Sequence, residues 1–94
     1  MKATQFLSEA AKIQDQRGQQ YDSPEGERSG GRIAAAFNAI TGKDLCAAEV
    51  YLILQITKDV RQWTASEYHH DSALDCVSYA ALKAEALSGG EGER

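Results

Sequence analysis

The chain has 94 residues and a formal net charge of −4, and it is rich in alanine, glutamine, glutamate, leucine and lysine, which favour helices over strands. A chain this short forms one domain whose own core contributes modest stability, so self-association is expected. The acidic balance argues against nucleic acid as a partner, and the lack of a signal-peptide core or of an apolar stretch of roughly 20 residues predicts a cytoplasmic protein rather than a membrane protein.

The first predicted helix covers residues 4–17. Thr4 is its expected N-cap, the apolar side chains that follow recur at helical spacing, and Gly18 is expected to end the helix. A long loop is predicted next, over residues 19–31, because this segment holds the only proline of the chain and several glycines. Loops of this length in a small domain are usually functional or mobile, so the segment is a candidate binding element.

Two further helices are predicted in the middle of the chain. One covers residues 32–41 and is followed by Gly42 as its C-cap, and the other starts near Cys46 and runs to residue 63. Glu49 stands at the third position of this later helix, where it can complete a capping box. The helix is apolar on more than one face, which is typical of a central helix or of one at a subunit contact.

The fourth predicted helix covers residues 71–87, with Asp71 or Ser72 as its N-cap. The glycine-rich and charged segment at residues 88–94 is predicted to be disordered. Together these elements predict an all-α protein, a small four-helix bundle over residues 1–87 with a long loop between its first two helices.

Residue types that bind metals occur without the spacing of a metal site. His69 and His70 are adjacent, but no third ligand lies at a matching spacing, which favours surface or capping positions at the start of the fourth helix. Cys46 and Cys76 are far apart and belong to no zinc-binding pattern, so both are expected to be reduced thiols.

Four ionisable residues flank the turn between the third and fourth helices. In an antiparallel hairpin, residues whose numbers add to about the same value face each other, so Lys58 is expected to meet Asp75 and Arg61 to meet Asp71. Three interpretations are open: a structural ion-pair network, a metal site at the two aspartates, or an anion-binding site at the two cations.

The predicted loop is a candidate phosphate-binding element. Arg28 and Arg32 flank a Ser-Gly-Gly sequence that runs into the second helix, where backbone N–H groups and the helix dipole attract anions. Tyr21 lies nearby in the sequence and can stack on a base. The alternative is a flexible connector, because two glycines without a preceding strand are a weak phosphate signal.

Four ordered blocks of sequence, over about residues 1–87, resemble a family of short tailed-phage proteins of unassigned function. The blocks are RGQQYDSPEGERS at residues 17–29, RIAAAFNAITG at 32–42, LILQITKDVR at 52–61 and HDSALDCVSYAAL at 70–82. The last two blocks are also distantly similar to the all-α nucleoside triphosphate pyrophosphohydrolases of the MazG-like type. That similarity implies two acidic helix motifs that hold Mg²⁺ against the phosphates of a nucleotide.

The sequence departs from the MazG-like pattern at the metal-binding positions. Lys58 and Arg61 stand on the third helix where carboxylates would be needed. Asp71 and Asp75 resemble the second motif, but they are four residues apart rather than three. Two aspartates can still hold Mg²⁺ together with phosphates and water, although neighbouring cations compete with the metal.

Three function classes follow. The first, which we favour at this point, is a phage accessory protein for host takeover or counter-defence that binds a nucleotide or another phosphate-bearing ligand without catalysis. The second is a Mg²⁺-dependent MazG-like nucleotide pyrophosphohydrolase that works in the host cytoplasm. The third is an inhibitor that binds a host protein through a helical surface. In each case a homodimer or a higher oligomer is expected, because the apolar third helix has more surface than its neighbours can cover.

Overall fold

The computed structural model describes residues 1–21 and 29–89, apart from the side chains of Gln20 and Tyr21. Within this part the chain forms four helices, α1 (Ala3–Tyr21), α2 (Ser29–Thr41), α3 (Ala47–Thr64) and α4 (His70–Leu87), and no strand. The all-α four-helix prediction is confirmed. The disorder predicted for the end of the tail lies outside the described residues. None of the four helices has the length and apolar composition needed to cross a bilayer.

The α3–α4 hairpin forms the centre of the molecule. Ala47, Ala48 and Tyr51 of α3 are buried against Leu82 and Ala86 of α4. Residue numbers rise along one helix as they fall along the other, so the two helices are antiparallel, as predicted. Most of these side chains are alanines, so the fully buried contact between the two helices contains little apolar volume.

The other two helices each pack on one member of this hairpin. Gln14 of α1 donates hydrogen bonds to the backbone carbonyl and the Oγ of Ser78, at 3.2 and 2.9 Å, and the Phe6 ring lies 5.7 Å from the His70 ring. The numbers in these pairs rise together, so α1 runs parallel to α4. Helix α2 packs on α3. Among the described residues the helices therefore lie in the order α1, α4, α3, α2.

Helix α1 is longer than predicted. It continues through Gly18 to Tyr21, so the prediction that Gly18 ends the helix is wrong. Gly18 is buried, and a glycine inside a helix is tolerated where the missing side chain lets another element come close. The described glycines with positive φ are instead Gly42, at 72°, and Gly89, at 94°. Gly42 follows α2, as the sequence predicted.

Helix α2 begins at Ser29, three residues before the predicted start at Arg32. The backbone N–H of Gly30, in its first turn, donates a hydrogen bond to the hydroxyl of Tyr51 on α3 at 3.1 Å. This tertiary contact satisfies one of the N–H groups that a helix leaves without an internal partner. Both ends of the predicted loop are thus helical, and the remaining residues 22–28 lie outside the described part of the chain.

The N-termini of α3 and α4 are capped by different side chains. At α3 the Glu49 carboxylate accepts a hydrogen bond from the backbone N–H of Cys46 at 2.9 Å, which confirms the role predicted for Glu49. At α4 the N-cap is His69 rather than Asp71 or Ser72, because its Nδ1 accepts from the Ser72 backbone N–H at 3.2 Å. The capping position predicted for the histidine pair is therefore confirmed for His69.

Candidate functional site

The hairpin brings one of the two predicted charge pairs together. Nζ of Lys58 lies 2.9 Å from Oδ2 of Asp75, and Nη2 of Arg17 lies 4.0 Å from Oδ1 of the same carboxylate. The side chains of Lys58 and Asp75 are both largely buried, with 16% and 18% of their surface exposed. One carboxylate on α4 thus connects a cation from α3 with a cation from α1, and the contact with Arg17 was not predicted.

The second predicted pair does not form. Arg61 and Asp71 are both exposed, and no ion pair joins them. Arg61 lies about 60° around α3 from Lys58, toward the edge of the α4-facing side, where its side chain is exposed. Adding residue numbers predicts the level at which two residues meet along a hairpin, but it does not predict the direction in which each side chain points.

The geometry at Asp75 favours an ion pair over a metal ligand. Both carboxylate oxygens face cations, Lys58 on one side and Arg17 on the other. Magnesium needs oxygen ligands that are available to it, and Asp71 is on the surface outside this cluster. The described residues contain no group of three or more histidine, cysteine, aspartate or glutamate side chains arranged to hold a metal ion.

A second polar contact joins α3 and α4 beside this cluster. The Sγ of Cys76 donates to Oδ1 of Asp59 at 3.3 Å. Burial raises the pKa of the Cys76 thiol above its ordinary value, and the hydrogen bond and negative charge of Asp59 raise it further. The thiol is therefore held in its protonated form. Nearby, the buried Oε1 of Gln55 has no hydrogen-bond partner.

The predicted phosphate-binding element is described only in part. Arg32 lies exposed in α2 and Tyr21 is the last residue of α1, but Arg28 and the side chain of Tyr21 lie outside the described residues. Gly30, whose backbone N–H was expected to face a phosphate, is buried and donates to Tyr51 instead. The Gly30 N–H is thus engaged in packing α2 on α3, while Arg32 lies at the surface.

The largest exposed feature of α3 is apolar. Five large side chains, hereafter the α3 stripe, are each at least 43% exposed: Leu52, Ile53, Ile56, Val60 and Trp63. At 3.6 residues per turn these positions fall within about 100° of one another. They lie opposite Tyr51 and Lys58, whose side chains face the neighbouring helices. Trp63 is the most exposed, at 83%.

Helix α2 carries a similar stripe. Ile33, Phe37 and Ile40, hereafter the α2 stripe, recur at the spacing of one helix face and are 44%, 41% and 84% exposed. The sequence predicted a helical pattern here, but the side chain of α2 that packs inward is the small Ala34. The two stripes, on neighbouring helices, are together called the apolar face. The two-sided apolar pattern of the third predicted helix indicated the exposed residues of the α3 stripe. The exposure of the α2 stripe was not predicted from the sequence.

The sequence of residues 5–87 matches the family model DUF6378, described as a domain of unknown function. No curated protein and no solved structure shows significant similarity to the chain.

Proposed function

The chain belongs to the DUF6378 family, and we propose that it is a non-catalytic binding module that acts through its apolar face. The observation that carries this proposal is the exposure of the eight large side chains of the α2 and α3 stripes. Large apolar side chains that line one side of a helix without a covering element mark surfaces that bind another protein or a ligand. Among the function classes considered from the sequence, the third, binding through a helical surface, fits this best.

The distribution of apolar residues between core and surface supports the same conclusion. Among the described residues, five of the nine buried hydrophobic residues are alanines, while twelve large hydrophobic residues are exposed. Hydrophobic stabilisation scales with the apolar area removed from water, at roughly 25 cal/mol per Å². A fold that buries alanine and exposes isoleucine, phenylalanine and tryptophan gains more from covering its apolar face than most small domains do.

Site-specific photo-crosslinking in the cells that express the protein tests this proposal. A benzophenone side chain at position 63 or position 56 is expected to form a covalent adduct with a defined protein, identified by mass spectrometry. The matched control places the same group at Thr57, which lies on α3 about 100° around the helix from Ile56 and hydrogen-bonds the Ile53 carbonyl at 2.9 Å. Equal, unspecific labelling at all three positions would contradict the proposal.

The nucleotide-binding role of a phage accessory protein stays a prediction. The two hairpin cations that were predicted to bind the nucleotide are Lys58, which is paired with Asp75, and Arg61, which is exposed. A thermal-shift screen against nucleotides, with and without Mg²⁺, tests this role and the pyrophosphohydrolase alternative together, because a ligand that binds the native state raises its unfolding temperature. A shift abolished by Arg32→Ala would favour the nucleotide role, and a Mg²⁺-dependent shift abolished by Asp75→Asn would favour the hydrolase.

A further inference from the structure

We infer that the α3 stripe, the larger half of the apolar face, is covered by a second copy of this chain, with α3 packed antiparallel to the partner's α3 around a twofold axis near Ile56. This inference rests on the proposed function and names its partner. It is carried by the area of the α3 stripe, by its lack of charge and by the positions of the stripe residues along α3.

The area of the α3 stripe suits a dimer. From the exposed fractions of its five side chains, the α3 stripe presents on the order of 600 Å² of accessible surface, so two copies bring together about 1,200 Å², the lower end of the range for a specific interface. A smaller apolar ligand would leave much of this stripe in water. A partner with an extended apolar surface is therefore needed, and a second copy supplies one of equal size.

The charge of the α3 stripe favours a like molecule. The chain carries a net charge of −4, so two copies repel each other wherever their charged surfaces approach. The five residues of the α3 stripe are all uncharged, and the one acidic residue within the same arc of α3, Glu49, lies at the first turn, away from the axis at Ile56. A twofold interface uses the same patch on both subunits, so the patch must complement itself. A uniformly apolar patch meets that condition, whereas a partner recognised by opposite charge would require a charged one.

The positions of the stripe residues select the antiparallel arrangement. Leu52 and Val60 are each four residues from Ile56, so around an axis at Ile56 each Leu52 packs on the partner's Val60. Trp63 then reaches the first turn of the partner's α3, the end along which α2 lies. Helix α2 occupies that end because Gly30 contacts Tyr51. Antiparallel helix dipoles also attract each other, which adds a small favourable contribution.

A parallel arrangement is less favourable. It brings the two bulky Trp63 side chains against each other at the C-terminal ends of α3, and it places like ends of the two helix dipoles side by side. The antiparallel dimer instead packs Trp63 on the first turn of the partner's α3 and pairs each Leu52 with the partner's Val60.

Sedimentation equilibrium of the full chain tests the assembly. The wild-type protein is expected to be a dimer at micromolar concentration, and Ile56→Lys is expected to be a monomer, because each dimer would bury two ammonium groups at the axis. Thr57→Lys places the same charge on the same helix outside the stripe and is expected to remain a dimer. Far-UV circular dichroism of each variant verifies that the helices are retained. A dimer that persists in Ile56→Lys would overturn the inference.

Disulfide trapping tests the orientation. In a Cys46→Ser, Cys76→Ser background, Ile56→Cys is expected to form an interchain disulfide when oxidised glutathione is added, since both copies of the residue lie at the axis. Trp63→Cys in the same background is expected to form none, because the two positions would lie about 21 Å apart along the antiparallel helices, whereas a disulfide requires Cα atoms within about 7 Å. A disulfide at position 63 but not at position 56 would overturn the antiparallel arrangement.

The outcomes separate this inference from the proposed function. If the wild-type protein is a monomer and crosslinks from position 63 to a different protein, the inference of a dimer is wrong but the proposed binding function is supported. A monomeric wild-type protein with no specific crosslink at the stripe would overturn both.

Discussion

At the scale of single residues, Tyr51 is the side chain that joins α2 to the α3–α4 core. It is 1% exposed, its ring lies in the α3–α4 core, and its hydroxyl accepts the Gly30 N–H of α2. A phenolic side chain supplies both a large apolar surface and one polar group. Tyr51 can therefore make an apolar contact in the α3–α4 core and a hydrogen bond to α2 at the same time. The absence of a side chain at Gly30 makes room for this arrangement.

Gly30→Ala is expected to destabilise the protein by about 1–3 kcal/mol, the usual cost of overpacking. A Cβ at this position would lie 2.5 Å from Cζ of Tyr51, and the rest of the ring is held by the core. Urea denaturation measures the change in the free energy of unfolding. In an exposed helix interior the same substitution normally stabilises, so a gain in stability would show that α2 does not pack on Tyr51 as described.

The thiol of Cys76 provides a prediction about pH. Burial and Asp59 raise its pKa above 9.0, so the folded protein holds this proton more tightly than the unfolded chain does. The resulting stability is fully present below pH 9.0 and is lost as the pH rises through the raised value in the folded state. In a Cys46→Ser background, Asp59→Asn is expected to speed alkylation of Cys76 by iodoacetamide at mildly alkaline pH, because the thiolate is the reactive form. An unchanged rate would show that Asp59 does not influence the thiol.

At the scale of helices, residue periodicity was enough to predict four helices in the right order and the antiparallel α3–α4 pair. Periodicity did not predict where α1 ends, because Gly18 is kept helical by burial rather than by local preference. It also did not predict that Arg17 reaches Asp75, since that contact depends on α1 running parallel to α4. Of the candidate site, the level of the Lys58–Asp75 pair followed from the sequence, whereas the exposure of Arg61 and Asp71 required the structure.

The ion pair that joins α3 and α4 is expected to show a measurable coupling energy. Asp75→Asn alone should destabilise the protein by about 1–2 kcal/mol, because it leaves Lys58 largely buried without its carboxylate. Adding Lys58→Met should recover part of that loss. A double-mutant cycle on the free energy of unfolding isolates the coupling.

The pair Arg61 and Asp71 provides the matched control for that cycle. It has the same charges at the same turn of the hairpin, but both side chains are exposed and they form no ion pair. Its coupling energy is expected to be near zero. Equal coupling in the two cycles would mean that general electrostatics, rather than the contact at Asp75, joins the helices.

At the scale of the whole molecule, the proposed dimer predicts that stability depends on protein concentration. Association stabilises the native state by mass action, so the thermal unfolding midpoint of the wild-type protein should rise as the concentration is increased. Ile56→Lys should unfold at a lower temperature that does not change with concentration, while Thr57→Lys should follow the wild type. Differential scanning calorimetry over a hundredfold range of concentration makes this comparison. A wild-type midpoint that stays constant would contradict the dimer.

The alanines between α3 and α4 have a consequence for how the sequence can change over evolution. Ala86 is 0% exposed and Ala47 is 3% exposed, so a larger side chain at either position would have to displace buried neighbours. The side chains of the α3 stripe extend outward, and one large aliphatic residue can replace another there as long as the stripe still complements itself. Members of the family are therefore expected to retain small residues at the centre of the hairpin, while the stripe changes only in ways that keep two copies compatible.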